Sequence, residues 1–76
     1  MHMYYVYVLL NKANRGVYIG YTNDLIRRFK QHKRKFPQDT LIYYEAYLNK
    51  QYAIKREQKL KYYGSAWRAL RKRILE

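Results

Sequence analysis

The sequence predicts an α+β fold, a small three-stranded, mostly antiparallel sheet flanked by helices in the order β-β-α-β-α-α. Three observations lead there: two β-favouring runs joined by a turn-rich segment, three later stretches with apolar residues at helical spacing, and one β-rich stretch between the first two of these. A chain of 76 residues has room for one hydrophobic core, burying only roughly 60% of the surface its unfolded form exposes. Residues 1–76 are therefore read as a single domain.

Tyr4 to Asn11 is β-favouring with little polarity, Lys12 to Gly16 carries turn chemistry, and Val17 to Gly20 resumes the β pattern, which together predict a hairpin. Thr22, Asn23 and Asp24 supply N-cap candidates for a helix whose apolar positions are Leu25, Phe29 and Phe36. Pro37-Gln38-Asp39 breaks that helix, and Thr40 to Leu48 reads as the third strand. Because the first strand is the longest apolar one, burial favours placing it in the middle, with the third strand paired to it. Asn49 can cap a helix over Lys50 to Tyr63, with Gly64 as its terminator. Ser65 is the expected cap of a last helix over Ala66 to Leu75, with Trp67, Leu70 and Ile74 inward.

The composition belongs to a folded protein: 49% apolar and 18% aromatic residues, with three glycines and one proline. There are no cysteines, which excludes disulfides and thiolate zinc sites, so any metal must meet oxygen or imidazole ligands. No stretch approaches the ~20 apolar residues of a membrane span, and no secretory leader pattern opens the chain, so a cytoplasmic protein is expected. Seventeen Lys and Arg against five Asp and Glu give a net charge of +12, a field that attracts polyanions and points to nucleic acid. The basic residues are dispersed along the chain, which argues against an acidic membrane surface as the partner.

Three polar residues fall where apolar ones are expected. At about 100° per residue with Ala53 at zero, Glu57 lies near 40°, inside the stripe of Ala53, Ile54 and Leu60. A carboxylate there must be ion-paired, protonated or bound to a cation. With Leu25 at zero, His32 falls near 340° and Arg28 near 300°, whereas Arg27, near 200°, points to solvent. Arg28, His32 and Glu57 supply a phosphate clamp, a proton-transfer candidate and a carboxylate able to hold Mg²⁺ or Mn²⁺.

Tyr5-Val6-Tyr7 and an intact Tyr18-Ile19-Gly20, followed by Asp24 to His32 and by Ala53 to Lys61, resemble the ordered motifs of the GIY-YIG nuclease superfamily over nearly the whole chain. Its members include the amino-terminal nuclease domain of a DNA-repair excinuclease, homing and restriction endonucleases, and short stand-alone bacterial proteins, which this chain resembles in length. The resemblance implies an endonuclease acting on phosphodiesters, DNA favoured over RNA, with a DNA-repair role and one divalent ion, Mg²⁺ or Mn²⁺. Its catalytic set would be Tyr7, assisting deprotonation of the attacking water; Tyr18 and Arg28, steadying the phosphate; His32; and Glu57, the metal ligand. Tyrosine, with a reference pKa of about 10, needs a neighbour such as His32, the basic surroundings or the metal to act as a base. Gly20, Lys30, Lys33 and Lys61 are assigned to nucleic-acid binding, Lys61 standing in for an asparagine that larger members carry downstream of the glutamate. The competing reading is a non-catalytic basic nucleic-acid-binding module that uses the same surface and stacking tyrosines.

Overall fold

The computed structural model describes residues 2–76, with β1 (Tyr4–Asn11), β2 (Val17–Thr22), α1 (Leu25–Lys35), β3 (Asp39–Tyr47), α2 (Lys50–Lys61) and α3 (Ser65–Leu75). The sheet order is β2-β1-β3 with both pairings antiparallel, so the fold class and the central place of the first strand are as the sequence predicts. The physical reason is burial: Val6, Tyr7, Val8 and Leu9 are all no more than 1% exposed, and only a central strand is covered on both faces and both edges.

Side chains alternate across the sheet. Val6 and Val8 of β1 with Ile19 of β2 face α2 and α3, where they meet Ala53, Leu60, Trp67 and Leu70 in one apolar cluster. The opposite face of β1, carrying Tyr5, Tyr7, Leu9 and Asn11, looks toward α1. Between Val8 and Leu9 the β1–β3 register slips: Val8 pairs with Tyr43 but Leu9 pairs with Leu41. Ile42 is the extra residue of a bulge, so Leu41 and Asp39 reach the α1 face, which strict alternation from Tyr43 would have denied them.

Caps set the helix ends. Asp24 accepts from the Arg27 N–H at 3.2 Å to start α1, and Asn49 accepts from Gln51 N at 2.9 Å and Tyr52 N at 3.3 Å to start α2. The basic last turn of α1, His32 to Lys35, suits the negative end of the helix dipole. Phe36 lies beyond the helix as its C-cap and is 48% exposed, so the helical wheel does not govern it, contrary to the inward position expected.

The α2–α3 junction also departs from expectation. Tyr63, not Gly64, takes the left-handed conformation that ends α2, with φ 56°. That backbone costs a side-chain-bearing residue about 1–2 kcal/mol, and the edge-on contact of its ring with Trp67, centroids 6.0 Å apart, offsets the cost. Gly64 is itself the N-cap of α3, its carbonyl accepting from Arg68 N, and Ser65 is the first helical residue with no capping hydrogen bond. Among the described residues, no helix is long and apolar enough to cross a membrane.

A polar clasp ties α2 to β3 on the core face. The Glu45 carboxylate accepts from the hydroxyls of Tyr43 and Tyr47, each at 2.5 Å, and from Arg56 Nε at 2.8 Å. Burial raises the Glu45 pKa, but the three hydrogen bonds outweigh it and hold the carboxyl below its ordinary value; burial, with the adjoining Glu45 carboxylate, pushes Tyr47 up to about 12 against the lowering effect of Arg56. Because the folded pKa is depressed, the clasp contributes fully above the unfolded carboxyl range and is lost as acid titrates Glu45. Glu45→Gln should therefore cost about 2 kcal/mol at neutral pH. The melting-temperature gap from wild type, roughly 10 °C at pH 7, should close as pH falls toward about 3; a gap constant with pH would show that the charge is irrelevant.

Candidate active site

Tyr7 and Gly20 are paired across β1 and β2, and both point toward α1. A Cβ at Gly20 would overlap Tyr7 Cζ and Oη and stand 2.9 Å from Tyr18 Cε1. The close approach that Gly20 permits is therefore that of the Tyr7 ring, and the residue is itself buried, beneath the phenol instead of on an exposed binding surface. Tyr18 lies beside Tyr7 with ring centroids 6.1 Å apart.

Tyr7 Oη is buried and, among the described residues, has no hydrogen-bond partner. Arg28 is near enough to act electrostatically on both phenols, and its own pKa is raised by Tyr7 and Tyr18. Burial dominates at Tyr7, raising its pKa despite the lowering effect of Arg28, with Tyr18 adding to the rise. The basic surroundings that the sequence offers as an activator are thus outweighed by desolvation. Arg27, the adjacent cation, is used through its backbone N–H in the α1 cap, whereas Arg28 faces the tyrosines.

His32 is buried in this same layer. Its ring stands between Tyr18, at 4.9 Å, and Phe36, at 5.0 Å, and Nε2 lies 2.6 Å from Asp39 Oδ2. An ionised carboxylate can only accept, so Nε2–H is the donor in this pair. Asn11 Nδ2 donates to Asp39 Oδ1 at 2.9 Å, which fixes the carboxylate in turn. Sequence reading treats Asp39 only as part of a helix break. No local pattern marks it, because its position depends on the bulge and on pairing with Asn11 across 28 residues.

Tyr7, Tyr18, Gly20, Arg28 and His32 are thus gathered on the α1 side of the sheet. Glu57 is carried by α2, whose buried Ala53 and Leu60 pack on the other face. Its carboxylate, 17% exposed, is paired with Lys61 Nζ at 3.0 Å and makes no hydrogen bond to the tyrosines or Arg28 among the described residues. Lys61, half exposed, is engaged by that ion pair. Lys33 donates to the Pro37 carbonyl at 3.1 Å and lies over the Phe29 ring, and Lys30 is exposed on the surface of α1.

The carboxylates decide which metal site could fit. Asp24 caps α1, Asp39 holds His32, Glu45 is clasped and Glu76 pairs with Arg71. Glu57 is held by a flexible, half-exposed lysine alone, and the described residues contain no cluster of three or more potential ligands. This donor set fits an ion bound by one carboxylate with water and phosphate oxygens, the habit of Mg²⁺.

A buried phenol beside a half-buried one, an arginine facing both and a strongly basic surface are what a nuclease domain acting on nucleic acid would present. The GIY-YIG catalytic domain profile matches residues 3–62, from the start of the sheet to the end of α2, and the chain belongs to that family. No curated protein and no solved structure matches the chain.

Gly20→Ala should displace the Tyr7 ring, costing about 1–3 kcal/mol and most of any cleavage activity. Gly16→Ala is the control: the added Cβ there meets only the exposed Asn14 side chain, whose Oδ1 accepts from Gly16 N in the hairpin turn, so a small loss of stability is expected while activity holds. Equal melting temperatures and rates for the two variants would refute the packing argument.

Proposed function

We propose that the protein is a divalent-metal-dependent endonuclease, cytoplasmic and concerned with DNA repair, whose single domain hydrolyses phosphodiester bonds, with DNA as substrate. The observation that carries the reading is the unpartnered Tyr7 hydroxyl, buried beside Arg28 and Tyr18. Such a group is left unsatisfied unless a water or a substrate oxygen completes it.

Arg28 grips the phosphate oxygens in its guanidinium fork and neutralises charge as it grows in the transition state. Tyr18 donates a hydrogen bond to the same phosphate. Tyr7 accepts from the attacking water and orients it, and its phenolate form takes the proton; because burial raises the Tyr7 pKa, that form is scarce at neutral pH. His32, held by Asp39, fixes the Tyr18 ring. Glu57, on the α2 side, would hold one Mg²⁺ or Mn²⁺ ion, which would supply positive charge to the phosphodiester. Lys30, Lys33 and Lys61 draw the polyanion in.

The Glu57–Lys61 ion pair favours a second reading, a binding module whose glutamate is purely structural. Lys61 is half exposed, and such i,i+4 pairs contribute only about 0.3–0.5 kcal/mol, so a divalent ion can displace it. Glu57→Gln separates the two readings. As an endonuclease the protein should lose cleavage by orders of magnitude, keep its melting temperature, and bind nucleic acid as well or better. If wild type cuts equally in EDTA, or the variant cuts as fast as its parent, the metal role of Glu57 is gone.

A matched pair on α1 tests the clamp. Arg28→Ala should reduce cleavage by about 10²-fold or more, while Arg27→Ala, removing a cation that does not face the phenols, should cost only a few-fold through weaker binding. Similar losses in single-turnover rates would mean that bulk charge alone matters.

A further inference from the structure

The helix α1 crosses the sheet with the tyrosine pair on one flank and an open groove on the other. This groove, about 610 Å³, is walled by Tyr5, Leu25, Phe29, Leu41 and Tyr44, a size within the usual range of small-ligand sites. Its walls are apolar and aromatic. Tyr44 is 54% exposed and Ile26, at the mouth, 70% exposed. The contact of Tyr44 with Tyr5 is edge-on, centroids 6.2 Å apart, which leaves ring surface open for a flat partner. Lys30 stands at the rim, and the one carboxylate there, Asp24, is engaged in capping α1.

Tyr44 is paired directly across from Tyr7, with Gly20 on the far side of Tyr7. The groove therefore lies about two strand spacings, ~10 Å, from the Tyr18 and Gly20 strand, a span that a short run of unpaired nucleotides covers. We propose that this groove receives an unpaired base of the substrate, stacked on Tyr44, a few nucleotides from the phosphate held at Arg28. The place of that phosphate rests on the endonuclease reading; the base site does not. The substrate is then single-stranded or locally unpaired, since a paired base cannot enter a slot on the protein surface.

Charge selects the occupant. A second copy of the chain carries the same +12 and is repelled. A polyanion with flat apolar bases satisfies both the rim lysine and the ring, the combination used by single-strand binding surfaces.

The test is fluorescence anisotropy in EDTA, with no cleavage required, using one labelled oligonucleotide presented alone or as a blunt duplex. Tyr44→Ala should weaken single-strand binding about tenfold, within the range for loss of one stacked base, and leave duplex binding within about twofold. Tyr44→Phe should restore the wild-type value. Lys30→Ala should weaken both forms alike. Equal effects of Tyr44→Ala on the two substrates, or none on the single strand, would overturn the proposal. So would a concentration-dependent dimer in sedimentation that Tyr44→Ala abolishes, because the groove would then belong to a second copy. If Mg²⁺ produces no cleavage while the single-strand preference persists, the endonuclease reading fails and the base site stands.

Discussion

The geometry of the α1 face depends on the contact between the Tyr7 ring and Gly20. Tyr7 projects from the central strand, where a side chain is surrounded and must find room beside its neighbours. The room is over Gly20, and any Cβ there would collide with the hydroxyl end of the ring. Lying in that direction, the ring delivers its oxygen to Tyr18 and Arg28, not to the apolar residues of α1. A residue without a side chain on an edge strand thus sets the position of the buried phenol. The two elements of the hairpin are useless for this purpose apart.

Scarcity of negative charge constrains the rest. With five carboxylates among seventeen cations, each acidic residue that reaches the interior takes on a defined partner, because a buried charge left alone is costly. Glu45 binds three donors and joins β3 to α2; Asp39 joins β3 to α1 through His32. These two residues fasten helices to opposite faces of one strand. The bulge at Ile42 makes that possible, since without it Asp39 would share a face with Glu45. The surplus cations stay in water, where they keep their charge and sum to a field that concentrates nucleic acid.

Much of this was legible from residue order. The hairpin, three helices and third strand follow from periodicities of two and about 3.6, and the caps Asp24 and Asn49 from short polar side chains ahead of helical runs. Arg28 could be told from Arg27 because adjacent helix positions differ by about 100°. Three features were not legible, all for one reason. The bulge, the partnership of Asp39 with His32 and Asn11, and the clasp around Glu45 each depend on how β3 is seated against β1 and the helices, so even where the residues are close in sequence, as Tyr43, Glu45 and Tyr47 are, periodicity alone does not show that they meet. The α2–α3 junction misled differently: Gly64 has the freedom to end a helix, yet Tyr63 takes the left-handed turn because its ring can then meet Trp67. There tertiary packing outweighed local propensity.

The energetics of Tyr7 link stability to chemistry. A buried hydroxyl whose nearest polar groups, Arg28 and Tyr18, do not reach good hydrogen-bond geometry carries part of the cost of an unsatisfied group, about 1–3 kcal/mol, which matters in a small domain. Tyr7→Phe would remove that penalty at almost unchanged volume, so packing alone gives no reason for the oxygen. Its presence beside a guanidinium that tempers, but does not overcome, the desolvation of the phenolate is what a site held ready for a ligand requires. The protein dipoles are placed before the substrate arrives, and the missing hydrogen bond is made when a water or phosphate oxygen enters. Desolvation also disfavours the phenolate form here, because it raises the pKa of Tyr7. A neutral occupant would leave that opposition in place. Positive charge near the phenol works against that rise, and the Arg28 guanidinium supplies part of it, so the balance at this site is set by the burial of one tyrosine and the cation beside it.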